Sequence, residues 1–163
     1  TKLEQRIVLA DDFYAYDTPG MLWPRIVVEQ SGYHLAACGS IGRNAFDEEE
    51  VALELLLILQ KHYAGQVEER YKLDPILGLT DIAVLTEIAR KRGGLLGGGK
   101  VNLQKAAEIV LTEFRAATLG RVTLETPEEF AQWLAAGQAA DAARQAKKDA
   151  RKNKKPAAPE SAE

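Results

Sequence analysis

The sequence predicts a mostly α-helical protein that opens with a short α/β segment, a β-hairpin plus one helix, and continues as a helical domain. Three observations lead there. Two short β-branched or aromatic runs open the chain, a series of capped segments with apolar residues at helical spacing follows, and large apolar residues vanish after Gly137. The 163 residues suffice for one ordinary domain with a real core, or for two small pieces sharing one.

Residues 5 to 10 (Q-R-I-V-L-A) and 13 to 16 (F-Y-A-Y) read as strands, with Asp11 and Asp12 as the turn-forming pair between them. The second strand runs directly into Asp17-Thr18-Pro19-Gly20 and then Met21-Leu22-Trp23-Pro24. Two prolines and a glycine forbid regular structure there, so this is a loop leaving a strand end. From Glu29 to Cys38, Gly32, Leu35 and Ala36 recur at helical spacing, and Gly39 supplies a stop.

Asp47 and Glu50 form a capping-box pair ahead of a helix whose apolar face runs from Val51 through Leu55, Ile58 and Leu59 to His62. A shorter, separate helix is expected to carry Val67 and Tyr71. Thr80 caps a helix burying Ile82, Leu85, Ile88 and Ala89, with Arg90, Lys91 and Arg92 in its last turn and Gly93 beyond. Asn102 opens another, with Leu103, Ala106, Ala107, Val110, Leu111 and Phe114 on one face, ending near Gly120. Thr126-Pro127-Glu128-Glu129 starts the last, anchored by Phe130, Trp133 and Leu134. Beyond Gly137 the chain has little to bury, and a frayed helix followed by disorder is expected.

The net charge of -3 conceals an asymmetry. Residues 1 to 140 hold 14 Lys/Arg against 20 Asp/Glu, whereas residues 141 to 155 hold seven against two. A basic arm on an acidic body suits contact with nucleic acid, and equally a merely soluble tail. Cys38 is the only cysteine, which excludes an intramolecular disulfide and suits a reducing cytoplasm. With only His34 and His62 besides, no zinc site is expected. No apolar run reaches the roughly 18 residues of a membrane span, and no signal-peptide pattern opens the chain. A cytoplasmic protein without membrane or DNA partners is the expectation. Because the chain begins at Thr1 and enters a strand at once, it is expected to be a fragment.

A strand that ends in Asp-x-x-Gly has a specific use beside a nucleoside triphosphate. The carboxylate holds a water on Mg²⁺, and the glycine lets a bare N–H approach the γ-phosphate without a side-chain clash. Asp17 and Gly20 fit those roles, although the spacing alone is also that of an ordinary Pro-Gly turn. The longer string D-T-P-G-M-L-W-P-R is more specific. It resembles the switch region of the circularly permuted ribosome biogenesis GTPases of the YlqF/RbgA family. The string A-R-K-R-G-G-L-L-G-G-G-K-V-N-L-Q-K-A-A-E-I-V-L, followed by F-R and L-G-R-V-T-L-E, resembles that family's C-terminal helical domain over residues 88 to 125. Together the resemblance covers nearly all of residues 1 to 130.

The resemblance implies three parts: residues 1–45 as the later part of a circularly permuted GTPase domain (a G-domain remnant), 46–137 as a helical ribosome- or RNA-binding domain, and 138–163 as a basic, largely disordered tail. It implies that Thr1 closes on Mg²⁺ and the γ-phosphate, that Asp17 reaches Mg²⁺ through water, and that Thr18, Pro19 and Gly20 complete the GTP contacts. The family's guanine-reading Asn-Lys-x-Asp and phosphate-binding Gly-x-x-x-x-Gly-Lys-Ser come earlier and are not in this sequence. The chain alone is therefore expected to be inactive, its GTP and Mg²⁺ belonging to a parent GTPase that drives late assembly of the large (50S) ribosomal subunit. Met21 stands where many GTPases carry a water-orienting glutamine, and a thioether cannot polarise water. No residue here receives a catalytic role.

The string Gly94-Leu-Leu-Gly-Gly-Gly99-Lys100 satisfies Gly-x-x-x-x-Gly-Lys by accident. A helix precedes it and Val101 follows, where a phosphate loop needs a strand before and Ser or Thr after. It reads as a flexible connection between helices. Arg90, Lys91, Arg92 and Lys100 gather around it and could meet RNA phosphates, or could simply complement a helix C-terminus. Arg144, Lys147, Lys148, Arg151, Lys152, Lys154 and Lys155 could add salt-sensitive attraction to rRNA, or form a solvated helix. His34 and His62 read as packed or surface residues, and Trp23 and Trp133 as core contacts. The reading from another class is a free-standing helical RNA- or protein-binding module in which Asp17-Gly20 is only a turn.

Overall fold

The computed structural model describes the backbone of residues 5–17 and 26–154, with the side chains of 6–16 and 26–150. Strands β1 (Gln5–Ala10) and β2 (Phe13–Asp17) precede α1 (Glu29–Ala37), α2 (Glu48–Tyr71), α3 (Asp81–Lys91), α4 (Leu103–Arg115) and α5 (Pro127–Lys154). The described chain is mostly α-helical, as its sequence predicts.

Four of the five α-helix starts follow from side-chain caps, whereas α1, which follows Val28, has none. Asp47 accepts from the N–H groups of Glu49 and Glu50 at 2.8 and 3.2 Å, Thr80 from Ala83 at 3.2 Å, and Asn102 from Lys105 at 3.0 Å. Thr126 and Glu129 cap reciprocally: Glu129 N–H donates to the threonine hydroxyl at 3.2 Å, and Thr126 N–H to the glutamate at 2.9 Å. Each cap satisfies N–H groups that the first helical turn leaves without partners.

Three features depart from the sequence-based expectation. Val67 and Tyr71 belong to α2 itself, which continues through a kink at Tyr63 (φ -137, ψ 25) instead of ending near His62. Ile82 is 52% exposed, and the buried face of α3 is made by Val84, Leu85, Ile88 and Ala89. The α4 helix stops at Arg115, five residues before Gly120, because Ala117 turns left-handed (φ 54) and Thr118 N–H closes back on Glu113 O at 3.0 Å. The helix expected beyond Gly137 is present, since α5 runs through the change of composition to Lys154.

The core lies between α2, α3 and α4, with α1 laid against it. Leu55, Leu56 and Leu59 of α2 meet Leu85 and Ile88 of α3 and Val110 and Leu111 of α4 in one buried cluster, which also takes in Ala36 and Ala37 of α1. Polar side chains tie its edges. Buried Gln60 donates to Ile76 O and Leu79 O at 2.5 and 2.8 Å, holding the α2–α3 connection. Glu113 of α4 accepts from Arg70 of α2 at 2.7 and 3.0 Å and from Arg92, beyond α3, at 2.5 Å. Arg115 donates to Ala36 O and Ala37 O, both at 2.8 Å, and so satisfies carbonyls at the end of α1.

The hairpin is different. Its strands pair antiparallel from Gln5–Asp17 to Ala10–Phe13, with an irregularity between Val8 and Ala10 and a tight turn at Asp12 (φ 61). Successive strand side chains point to opposite faces, yet Ile7, Val8, Leu9, Phe13, Tyr14 and Tyr16 are all exposed. Neither face is covered by described residues.

Candidate functional site

β2 delivers Asp17 as its last residue, opposite Gln5. Thr1, Thr18, Pro19 and Gly20 lie outside the described residues, as do Met21 and Trp23, so the roles expected of them at a phosphate group are not placed. The described chain resumes at Ile26 and at once meets α5. A Cβ built on Gly137 would stand 2.7 Å from Val27 O, so the helix carries glycine where this backbone crosses it. The segment that resumes at Ile26 therefore bears directly on α5.

The accidental phosphate-loop string is a closed turn rather than a flexible connection. Leu95 and Val101 form an isolated antiparallel bridge. Leu96 N–H donates to Lys100 O at 2.8 Å and Asn102 N–H to Gly94 O at 2.7 Å. A Cβ on Gly94 would fall 2.9 Å from Ala89 Cβ and 3.0 Å from its Cα, so this turn packs straight onto the end of α3. With α3 before it and Val101 after, it is no strand-to-helix phosphate loop.

Of the four cations around that turn, two are occupied. Arg92 is bound to Glu113 and lies over the Tyr71 ring, 5.6 Å from its centroid. Arg70 chiefly, with Arg92, holds the Glu113 carboxyl below its ordinary pKa against the opposing effect of burial. Arg90 pairs with Glu87 one turn earlier. Lys91 and Lys100 are exposed and form no ion pair among the described residues. The second basic group, Arg144, Lys147 and Lys148 with Arg151 and Lys152 further along, follows the outer half of α5. The two groups occupy separate elements.

A cavity of about 490 Å³ opens between α1, α2 and the segment that leads into α5. Its wall includes Tyr33, His34, Glu54, Tyr63, Glu129 and Trp133. His34 Nδ1 lies 2.8 Å from Glu125 Oε2, a distance at which the ring N–H donates to the carboxylate, and Trp133 meets the imidazole edge-on at 5.8 Å. Tyr33 O–H donates to Glu50 at 2.5 Å. That bond chiefly, with nearby Glu29 and Glu54, pushes the phenol pKa up to about 12. Tyr63, at the kink of α2, accepts from Thr123 N–H at 3.0 Å.

Sequence reasoning missed this cavity. Its walls come from residues 30–37, 54–63 and 123–133, and no local pattern marks segments that meet only after folding. Among the described residues no cluster of three or more His, Cys, Asp or Glu could hold a metal ion, and no helix is long and apolar enough to cross a membrane.

No protein-family model matches the chain. It is similar to ribosome biogenesis GTPase A of Bacillus cereus, 38% identical over 133 residues that make up 81% of this chain and 44% of that protein. It is equally similar to the protein of the same name in Priestia megaterium, 38% identical over 135 residues, 82% of this chain and 46% of the relative. Mitochondrial ribosome-associated GTPase 1 of Mus musculus is 33% identical over 122 residues, covering 69% and 37%. The chain thus spans less than half the length of these relatives.

Proposed function

Because the chain belongs to the family of ribosome biogenesis GTPase A, we propose that it is the later part of a cytoplasmic enzyme that hydrolyses GTP to drive late assembly of the large (50S) ribosomal subunit. The observation that carries this reading is the 38% identity maintained over 81% of the chain. In the parent, Asp17, Thr18, Pro19 and Gly20 approach the γ-phosphate, Thr1 ligates Mg²⁺, and Asp17 reaches the ion through water. Two features support that placement: β2 ends at Asp17, and the hairpin's apolar faces, uncovered among the described residues, are those of strands that a further layer covers in an α/β sheet. The parts that grip the β-phosphate and read guanine lie in the earlier half, so this chain alone neither binds nor hydrolyses GTP. Residues 1–45, 46–137 and 138–163 then correspond to the end of the GTPase domain, the helical ribosome-binding domain and the basic extension.

Contact with rRNA falls to the two basic groups. With Arg92 held by Glu113 and Arg90 by Glu87, the turn offers Lys91 and Lys100 first. Lys147, Lys148, Arg151 and Lys152 add a second, sequence-independent attraction.

The reading frame upstream of Thr1 tests the assignment directly. It should encode Asn-Lys-x-Asp and then Gly-x-x-x-x-Gly-Lys-Ser, and their absence would remove it. Titrating a fluorescent GTP analogue into the present chain should give no saturable signal, and micromolar affinity would contradict the divided site. Binding to large-subunit RNA should fall steeply with salt and drop when residues 138–163 are deleted.

A further inference from the structure

We propose that the cavity between α1, α2 and the 123–133 segment receives a positively charged side chain, an arginine or lysine on a basic segment of a partner protein. Three aromatic rings, Tyr33, Tyr63 and Trp133, line it, and a ring face attracts a cation. Each ring is fixed before a ligand arrives. Tyr33 is tethered to Glu50, Tyr63 to the Thr123 backbone, and Trp133 packs on a histidine itself locked to Glu125. Binding therefore orders little that is not already ordered.

The charges select the sign of the ligand. Glu54, Glu125 and Glu129 line the cavity against one lysine, Lys61. Glu125 is engaged by His34 and Glu129 by the Thr126 N–H, whereas Glu54 is exposed and makes no hydrogen bond or ion pair among the described residues. A phosphate backbone brought here would face three carboxylates. An RNA is disfavoured on this side of the molecule, and a cationic peptide is not. At about 490 Å³ the space exceeds one guanidinium head and admits part of the peptide that carries it.

The test uses the whole chain and a fluorescein-labelled hexa-arginine peptide, followed by anisotropy at low salt, with hexaglutamate and oligouridylate as competitors. The Glu54→Gln/Glu129→Gln double variant keeps an acceptor for Thr126 N–H and should bind the peptide about fivefold more weakly. Lys61→Gln should bind it about twofold more tightly. Glu69→Gln, at an exposed acid outside the cavity wall, should leave binding unchanged. Equal weakening by Glu69→Gln would reduce the effect to diffuse attraction by an acidic body and overturn the proposal. So would weaker binding by Lys61→Gln, or competition by oligouridylate that the double variant abolishes. The assay contains no GTP, so its failure leaves the nucleotide assignment standing.

Discussion

Leu56 of α2 and Phe13 of β2 are both large apolar side chains, yet the first is 0% exposed and the second 63%. Leu56 finds its partner surface within the chain, among helices whose caps, connections and ion pairs all close on one another. Phe13 finds none among the described residues, and the same holds for both faces of its hairpin. The contrast separates a part of the sequence whose apolar side chains close on one another from a part whose apolar side chains meet no partner among the described residues. It also predicts that mutations of similar chemistry will differ in cost by where they fall.

The largest effect should come from Leu56→Ala, which removes buried methyl groups from the α2–α3–α4 cluster. A loss of about 2–5 kcal/mol is expected in urea unfolding followed by circular dichroism. A loss under about 1 kcal/mol would mean that the helices do not form one packed core.

Glu113→Gln should come next, at about 1–2 kcal/mol, because it weakens the bonds from both Arg70 and Arg92 while those arginines keep partial access to water. The sign of its pH dependence follows from the depressed carboxyl. A carboxylate held below its ordinary value of 4.5 contributes fully above that value, and the contribution fades as pH falls through the lower folded-state value. The stability gap between the native chain and Glu113→Gln should therefore be widest near neutrality and narrow below about pH 4.5. A gap that widens with acid would remove the ion pairs as its cause.

The smallest effect belongs to the hairpin. Phe13→Ser should change the unfolding of the helical part by less than about 0.5 kcal/mol and should reduce self-association at high concentration in light scattering. A loss comparable to that of Leu56→Ala would erase the distinction between the two regions.

What the sequence made legible divides along the same line. Asp47, Thr80, Asn102 and Thr126 announced their helices because capping is a local event between residues two or three apart. The union of α2 with its last two turns was not legible. Its kink residue, Tyr63, is engaged by Thr123, 60 positions later, and a bond of that span leaves no trace in a window of 18 residues. The occupation of Arg92 was hidden for the same reason, since Glu113 belongs to another helix. The Asp17-Thr18-Pro19-Gly20 string was recognisable as a string through its resemblance to a family. The aromatic cavity, built from three distant segments, left no such signature.

The close crossing of Val27 and Gly137 gives α5 the mechanics of a lever with its pivot on the stretch that leads into α1. From Gly137 to Lys154 the rod extends about 25 Å. A tilt of about 10° at the pivot would sweep its lysine-bearing tip through about 4 Å, comparable to one turn of helix. A methyl group added at the pivot would change that bearing without touching a single cation on the arm.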